Sequence, residues 1–282
     1  MKKRIEYIVV YTVLTLFAVF TLIPFAYMGF SAFKATSAFF TFPFWPTDGA
    51  WHRVDWSAFT FTHFNKLFVV AGITGATINS FFFASTLAIV ATLGSAMGGY
   101  ALTKYEFPFR KALILVVLVL LITPGVLLLA PTYQLLYWLG LLDSYGALIL
   151  PGIAPAFGVF LFRATFKSAL PDEMLAAARI DGCGELRLFF TVALPMAKPM
   201  IGAFLLITYL GAWNNFIGPQ IFLQSPDQYP LAVAVAQLRG PYSTEWGLIM
   251  AGTLVGVLPV LVLFLLLQRD FIMGLTIGSV KG

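Results

Sequence analysis

The sequence predicts an all-α polytopic membrane protein with six transmembrane helices and a cytoplasmic coupling-helix hairpin. Three observations carry this prediction. First, the 282 residues are 60% hydrophobic and only 10% charged, against roughly 25% charged in soluble domains. Mean hydropathy is +0.91, and a soluble fold of this size has no interior able to hide so much apolar surface. Second, six long runs lack any Asp, Glu, Lys or Arg: 7–33, 67–103, 112–142, 144–162, 199–226 and 246–268. A helix needs about 20 apolar residues to cross the hydrocarbon core, so each run supplies one crossing and both termini fall on one side. Third, Lys and Arg are distributed unevenly. With the N-terminus inside, 13 of the 17 flank inner ends: Lys2, Lys3, Arg4, Lys104, Arg110, Lys111, Arg163, Lys167, Arg179, Arg187, Lys198, Arg269 and Lys281. Only Lys34, Arg53, Lys66 and Arg239 fall outside. Excess cations mark the cytoplasmic side, so both termini are expected there.

The formal net charge of +5 does not point to nucleic acid, because the cations flank spans and form no stripe. The expected medium is a lipid bilayer. Cys183, the single cysteine, leaves no intrachain disulfide and no multi-cysteine metal site. It falls on the side where thiols stay reduced. The first apolar run is too long for a signal-peptide core and no small-residue cleavage site follows it, so it is read as a retained span.

Each element follows in order. Residues 1–6 are a basic lead and 7–30 the first span, with Pro24 near its outer end. Residues 34–76 form the largest outer segment, rich in Phe and Trp but broken by Pro43, Pro46, Asp48 and Gly49. Aromatic rings at headgroup level suit an interfacial segment; contact with a partner outside the membrane is the other reading. The second span, 77–102, holds Gly94 and Gly98 at the small-residue spacing that lets helices approach closely. Lys104 to Lys111 is a short basic inner loop. The third span, 112–136, is interrupted at Thr123-Pro124-Gly125, and the fourth, 145–162, carries Pro151 and Pro155. These mark either a bend beside a translocation path or tolerated kinks. The fifth span, 200–223, contains Trp213-Asn214-Asn215-Phe216. Amide side chains are costly against lipid, so they are expected to meet a helix, a water-filled cavity or the outer interface. An outer loop at 225–244, a sixth span at 245–268 and a short tail at 269–282 complete a chain read as one membrane domain over 1–282, its core at 77–268.

The inner segment 167–199 is the longest stretch built to meet water or protein. Pro171 suits the first helical position. Asp172 and Glu173 complement the helix dipole in the first turn. Gly182 suits a chain reversal, and a second short helix is expected from Gly184 through Thr191. The hairpin 171–191 is too short for its own core. Small Ala176, Ala177 and Ala178, beside apolar Met174, Leu175 and Ile180, suit docking into a groove on another protein; an amphipathic loop lying on the membrane surface is the alternative.

This segment resembles the EAA loop of the inner-membrane permeases of ABC importers. That pattern is Glu-Ala-Ala, three residues, Gly, nine residues, then Ile-x-Leu-Pro. Ala177, Ala178, Gly182 and Val192-Ala193-Leu194-Pro195 fall at its spacing, with Val for Ile, and Ala176 stands where the pattern has Glu. Trp213-Asn214-Asn215-Phe216 resembles the Trp-Asn motif in the fifth span of maltose-type sugar permeases. The ending Gly274 to Gly282 is similar to the closing signature of their MalG-like subunit.

The resemblance implies an importer subunit in a bacterial or archaeal cytoplasmic membrane. Its implied partners are a second, MalF-like permease, two cytoplasmic ATPases and an extracytoplasmic solute-binding protein. ATP would be hydrolysed by the partner subunits, with no cofactor bound by this chain. The implied coupling residues are Glu173, Ala176, Ala177, Ala178, Arg179, Asp181 and Gly182, with Glu173 a substitute for the missing acid at Ala176. Trp213, Asn214 and Asn215 are candidates for the substrate path, and the tail with Gly274 and Lys281 is expected to reach toward the ATPases. The expected cargo is a mono- or oligosaccharide, with glycerol 3-phosphate or another small polar solute as the alternative.

Rival classes fit less well. Proton- or ion-coupled carriers usually place ionisable residues within the membrane, and the six runs contain none, which argues against proton coupling though not against polar Na⁺ sites. No Gly-Lys-Ser/Thr phosphate loop is present, so the chain itself is not expected to hydrolyse ATP. Both histidines, His52 and His63, lie in the first outer segment, away from any paired nucleophile and without an assured third metal ligand. No catalytic residue and no metal site are therefore expected.

Overall fold

The structure is a computed structural model that describes residues 2–41, 44–47, 54–239 and 244–277. Among these the chain is built from helices, and extended pairing is confined to isolated antiparallel bridges: Lys34 with Phe59, Thr47 with Val54, and Arg239 with Thr244. The helices run in order α1 (Lys2–Phe33), α2 (Thr62–Asn65), α3 (Ile73–Lys104), α4 (Arg110–Ile122), α5 (Leu129–Trp138), α6 (Tyr145–Ile149) and α7 (Ala156–Ala169). They continue as α8 (Asp172–Ile180), α9 (Glu185–Leu188), α10 (Leu194–Met196), α11 (Lys198–Trp213), α12 (Ile217–Phe222), α13 (Leu231–Gln237) and α14 (Trp246–Ile277). Four segments are each long and apolar enough to cross a membrane: Lys3–Phe33, Ile73–Lys104, Tyr145–Ala169 and Trp246–Leu266. The number reaches six when two bent stretches, Arg110–Trp138 and Glu185–Trp213, each supply one crossing. In the second of these, α11 is the apolar arm.

The chain separates into two compact units, Met1–Thr74 with Ala234–Pro259, and Gly75–Val233 with Val260–Gly282. In the first unit, α1 exposes its apolar side chains along its length. At its end Lys34 is fully buried, its ammonium 5.5 Å above the Tyr27 ring. Burial pushes the Lys34 pKa down. His63 is buried too, its Nε2 lying 2.8 Å from the Lys34 carbonyl oxygen. A Cβ on Gly247 would come within 2.6 Å of His63 Cε1, so glycine there lets α14 lie against the ring. His63 is thus a packing residue, and His52 lies outside the described residues. Lys66 donates to both carboxylate oxygens of Glu245 at 2.9 Å.

In the second unit the small residues of α3 do the work their spacing predicts. A Cβ on Gly99 would lie 2.6 Å from the Arg163 backbone nitrogen, and one on Gly98 would lie 3.3 Å from Val159 Cγ2. Gly158 answers from α7, where a Cβ would sit 2.8 Å from Ser95 Cβ. At Gly99 and Gly158 the approach leaves no room for a methyl group, and at Gly98 the fit is tight.

Breaks in the crossings have local causes. Residues preceding proline are pushed out of the α region: Thr123 has ψ 120°, and α4 meets the following arm at 110°. Pro151 lies in a 3₁₀ turn at Leu150–Gly152, and Pro155 caps α7 with ψ 139°. One expected span needs correction: the fifth, read over 200–223, has its helix stop at Trp213, and α12 begins only at Ile217. The sixth crossing, expected over 245–268, is found at Trp246–Leu266, while its helix α14 continues through Arg269 and Asp270 to Ile277. A charged pair limits where lipid is tolerated, but it removes no backbone hydrogen bond and does not stop a helix.

Candidate functional site

The hairpin forms as its sequence dictates, with one shift. Pro171 caps α8 with ψ 144° instead of occupying the first helical position. Asp172 and Glu173 fill the first turn and Arg179 the last, the arrangement that complements the helix dipole. Reversal occurs at Gly182, φ +79°. The Cys183 amide donates to the Ala178 carbonyl and the Gly182 amide to the Arg179 carbonyl, both at 3.0 Å. These are the two bonds of a Schellman motif. Ala178 and Cys183 pack together on the core, as the hydrophobic contact of that motif requires.

One face of the hairpin is anchored and the other is free of contact. Leu175, expected on the docking face, is instead buried, and with Leu188 it packs among Phe162, Phe166, Phe189 and Phe204. Burying each Leu contributes about 2 kcal/mol relative to exposure. On the opposite face Ile180 is 86% exposed and Leu186 69% exposed, with Glu173, Ala176, Ala177 and Asp181 exposed beside them.

Charges hold the anchored side. Arg179 Nε donates to Glu185 Oε1 at 2.8 Å, and the Tyr105 hydroxyl donates to Glu185 Oε2 at 2.6 Å. The Arg179 guanidinium, then the Tyr105 hydroxyl, hold the Glu185 carboxyl below its ordinary pKa. Burial, and then the Glu185 acceptor, push the Tyr105 phenol well up. On the other arm, Lys104 Nζ donates to the Leu170 carbonyl at 2.5 Å and to Asp172 Oδ1 at 2.7 Å. The Lys104 ammonium holds the Asp172 carboxyl below its usual range. Lys104, Tyr105 and Glu185 were not singled out in the sequence, because their partners lie 66 to 80 positions away.

The Trp-Asn stretch is a helix break. Trp213 is buried, stacked on Tyr209 at 5.9 Å and edge-on to Phe81 at 4.9 Å. Asn214 is exposed, and its Nδ2 donates to the Leu210 carbonyl at 2.9 Å. Asn215 Oδ1 accepts from the Gly218 amide at 3.2 Å. Both amides thus satisfy helix ends, an outcome the sequence reading did not include. Gly274 lies in the last turns of α14, whereas Lys281 lies outside the described residues.

At the far end of α3 a second polar cluster fixes the stretch 222–231. Asp143, with φ +57°, accepts from the Gln224 and Ser225 amides at 2.8 and 2.9 Å and from the Ser225 hydroxyl at 2.5 Å. Tyr145 donates to the Gln228 carbonyl at 2.9 Å. Asn79 Nδ2 donates to the Asp227 and Tyr229 carbonyls at 2.7 and 3.2 Å, and Ser80 Oγ accepts from the Leu231 amide at 2.7 Å.

Broken membrane crossings joined to a polar hairpin with an uncovered apolar face define a polytopic membrane protein. The chain belongs to the family described as the binding-protein-dependent transport system inner membrane component, whose model matches residues 91–269. It is 38% identical over 229 residues to the arabinooligosaccharides transport system permease protein AraQ of Halalkalibacterium halodurans, covering 81% of this chain and 82% of that one. It is 31% identical over 281 residues to the lactose transport system permease protein LacG of Rhizobium radiobacter, covering 100% and 98%. With the sn-glycerol-3-phosphate transport system permease protein UgpE of Yersinia pestis it shares 35% over 203 residues, covering 70% and 71%. Its fold matches a chain of a bacterial ABC transporter involved in the import of alginate, with TM-score 0.80 at 19% identity over 96% of this chain and 98% of that one.

Proposed function

We propose that this chain is the permease subunit of an ATP-driven importer that moves a mono- or oligosaccharide across the cytoplasmic membrane by alternating access. The observation that carries the coupling role is the two-faced hairpin. Leu175 and Leu188 fix it to the membrane unit, while Ile180, Leu186 and the alanines beside them stand uncovered. An exposed apolar ridge on a short helix suits a groove on a partner, and a cytoplasmic ATPase is that partner here. Closure of an ATPase dimer would move the grooves, the hairpin would follow, and α7 and α11 would carry the motion into the membrane. In this reading both termini are cytoplasmic, and the two units work as one permease domain. A second, MalF-like permease completes the pore, and an extracytoplasmic binding protein meets the loop 225–244. ATP is hydrolysed by the partner subunits. The end of α14 with Gly274, and Lys281 beyond it, reaches toward the ATPases.

Asn214 is the substrate-path residue of choice, because it is exposed at the break that ends α11, where a polar side chain suits a water-filled path. Trp213 and Asn215 hold the break that presents it. Sugar is favoured over glycerol 3-phosphate because AraQ and LacG are named for sugars and the charge-free runs offer no Lys or Arg to an anion. The similarity to UgpE keeps glycerol 3-phosphate as the second reading.

Ile180→Asp with Leu186→Asp tests the hairpin, since both side chains are exposed and the fold does not depend on them. Purified through a tag on this chain, the variant is expected to insert normally and to lose ATPase co-purification by about tenfold, or about 1.4 kcal/mol. Undiminished co-purification rejects the coupling role. A thermal-shift screen of the co-purifying binding protein against sugars and glycerol 3-phosphate decides the cargo.

A further inference from the structure

We infer that α3 is a strut joining the loop that meets the binding protein to the hairpin that meets the ATPase, with Asn79, Lys104 and Tyr105 as its positioning residues. The inference rests on the roles proposed above for those two surfaces and adds the route between them.

Three observations converge on α3. It is a single 32-residue helix with no proline, spanning about 48 Å at 1.5 Å per residue. The other crossings wholly within the second unit are interrupted, at Thr123-Pro124, at 150–155 and at Ala197. A continuous helix carries displacement along its axis through its own hydrogen bonds, whereas a broken one absorbs displacement at the break. Second, both ends are tied to the relevant surfaces by side chains. Asn79 and Ser80 hold Asp227, Tyr229 and Leu231 at one end. Lys104 holds Leu170 and Asp172, and Tyr105 holds Glu185, at the other. Both arms of the hairpin are therefore tied to two consecutive residues. The α3 partners of two ties are sheltered from water: Ser80 is fully buried, and the Lys104 side chain is 7% exposed, although Asp172 itself is 86% exposed. Third, Gly99 seats α3 against α7 with no space for a methyl group, and α7 leads directly into the hairpin. Displacement of the loop 227–231 therefore reaches the hairpin along one stiff element.

The test uses the whole transporter, purified through a tag on this chain and placed in nanodiscs of phosphatidylethanolamine and phosphatidylglycerol. ATPase rate is measured with and without the co-purifying binding protein loaded with its sugar. In Asn79→Ala and in Tyr105→Phe, assembly and unstimulated ATPase are expected within about twofold of the unaltered chain. Stimulation by the binding protein is expected to fall at least about fivefold. The double variant is expected to lose no more than the worse single one, because residues on one path do not add. Tyr105→Phe removes one hydroxyl and keeps the ring, so it reports even where Asn79→Ala fails to assemble. Full stimulation in the variants overturns the strut and leaves the importer reading intact. An unaltered transporter that shows no stimulated ATPase overturns the importer reading, and the strut with it.

Discussion

The Tyr105 hydroxyl reaches Glu185 Oε2 at 2.6 Å across eighty positions of sequence. The same carboxylate receives Arg179 from within the hairpin. One glutamate thus closes the hairpin on itself and fastens it to the end of α3.

This relationship predicts a pH profile. The Glu185 carboxyl is held below its ordinary value of 4.5, so its contribution is present above that value and lost as pH falls through the lower folded value. The Tyr105 phenol is raised above 10.0, so its contribution is present below 10.0 and lost as pH rises through the raised value. Amide exchange over 172–188, corrected for the intrinsic pH dependence, is expected to be slowest between these limits and to accelerate beyond both. Tyr105→Phe should erase the alkaline limb and leave the acid limb. A flat profile would sink the assignment.

Gly182 lies at φ +79° with no atom within 4 Å of a built Cβ. Space is therefore not the difficulty in Gly182→Ala; the left-handed backbone is. The substitution is expected to destabilise the hairpin by about 1 kcal/mol, and Gly182→Asn by less, since Asn tolerates this region. Local exchange rates in 172–188 rank the three proteins, and equal rates would contradict the Schellman reversal.

Gly158 and Gly211 make opposite predictions. A methyl group on Gly158 would collide with Ser95 and the Phe204 ring, whereas one on Gly211 meets nothing within 4 Å in this chain. Gly158→Ala is expected to cost about 1–3 kcal/mol through overpacking. Gly211→Ala should be neutral or stabilising by up to about 1 kcal/mol, from helix propensity. Unfolding of the detergent-solubilised chain measures both, and a stable Gly158→Ala would refute the close contact of α7 with α3 and α11.

Asp143 combines a left-handed backbone with three accepted hydrogen bonds. Asparagine tolerates that backbone and retains one acceptor oxygen. Thermal stability is therefore expected to fall in the order Asp143, Asp143→Asn, Asp143→Ala. Equal melting of the two variants would mean that the carboxylate does not clamp the 224–225 amides.

Ala176 is exposed on α8, where the importer pattern places a glutamate. Ala176→Glu should leave folding unchanged, since both residues are good helix formers. It is expected to slow dissociation of the ATPases several-fold by restoring a charge at the contact. Unchanged dissociation would show that this position does not face them.

Local features were legible from residues alone. Charge-free runs located the crossings, and Gly182 marked the turn. Thr123-Pro124-Gly125 and Pro151 marked breaks whose meaning the sequence left open. The fifth span differs at its outer end from what the sequence predicts, because amides in an apolar run carry no local sign of the helix ends they serve. Asn214 and Asn215 instead bond to Leu210 and Gly218, three or four positions away, and they end one helix and begin the next.

By itself the sequence determined which segments enter lipid and where the hairpin turns. Hydropathy, dipole complementarity and glycine conformation act over a few residues and are written in order along the chain. Tertiary structure decided which face of the hairpin is anchored, that His63 is a packing residue seated against Gly247, and that Lys104 and Tyr105 hold both hairpin arms. The last two outcomes depend on side chains brought together from 66 to 184 positions apart. No local pattern encodes such a meeting, because its free energy exists only once the helices have packed.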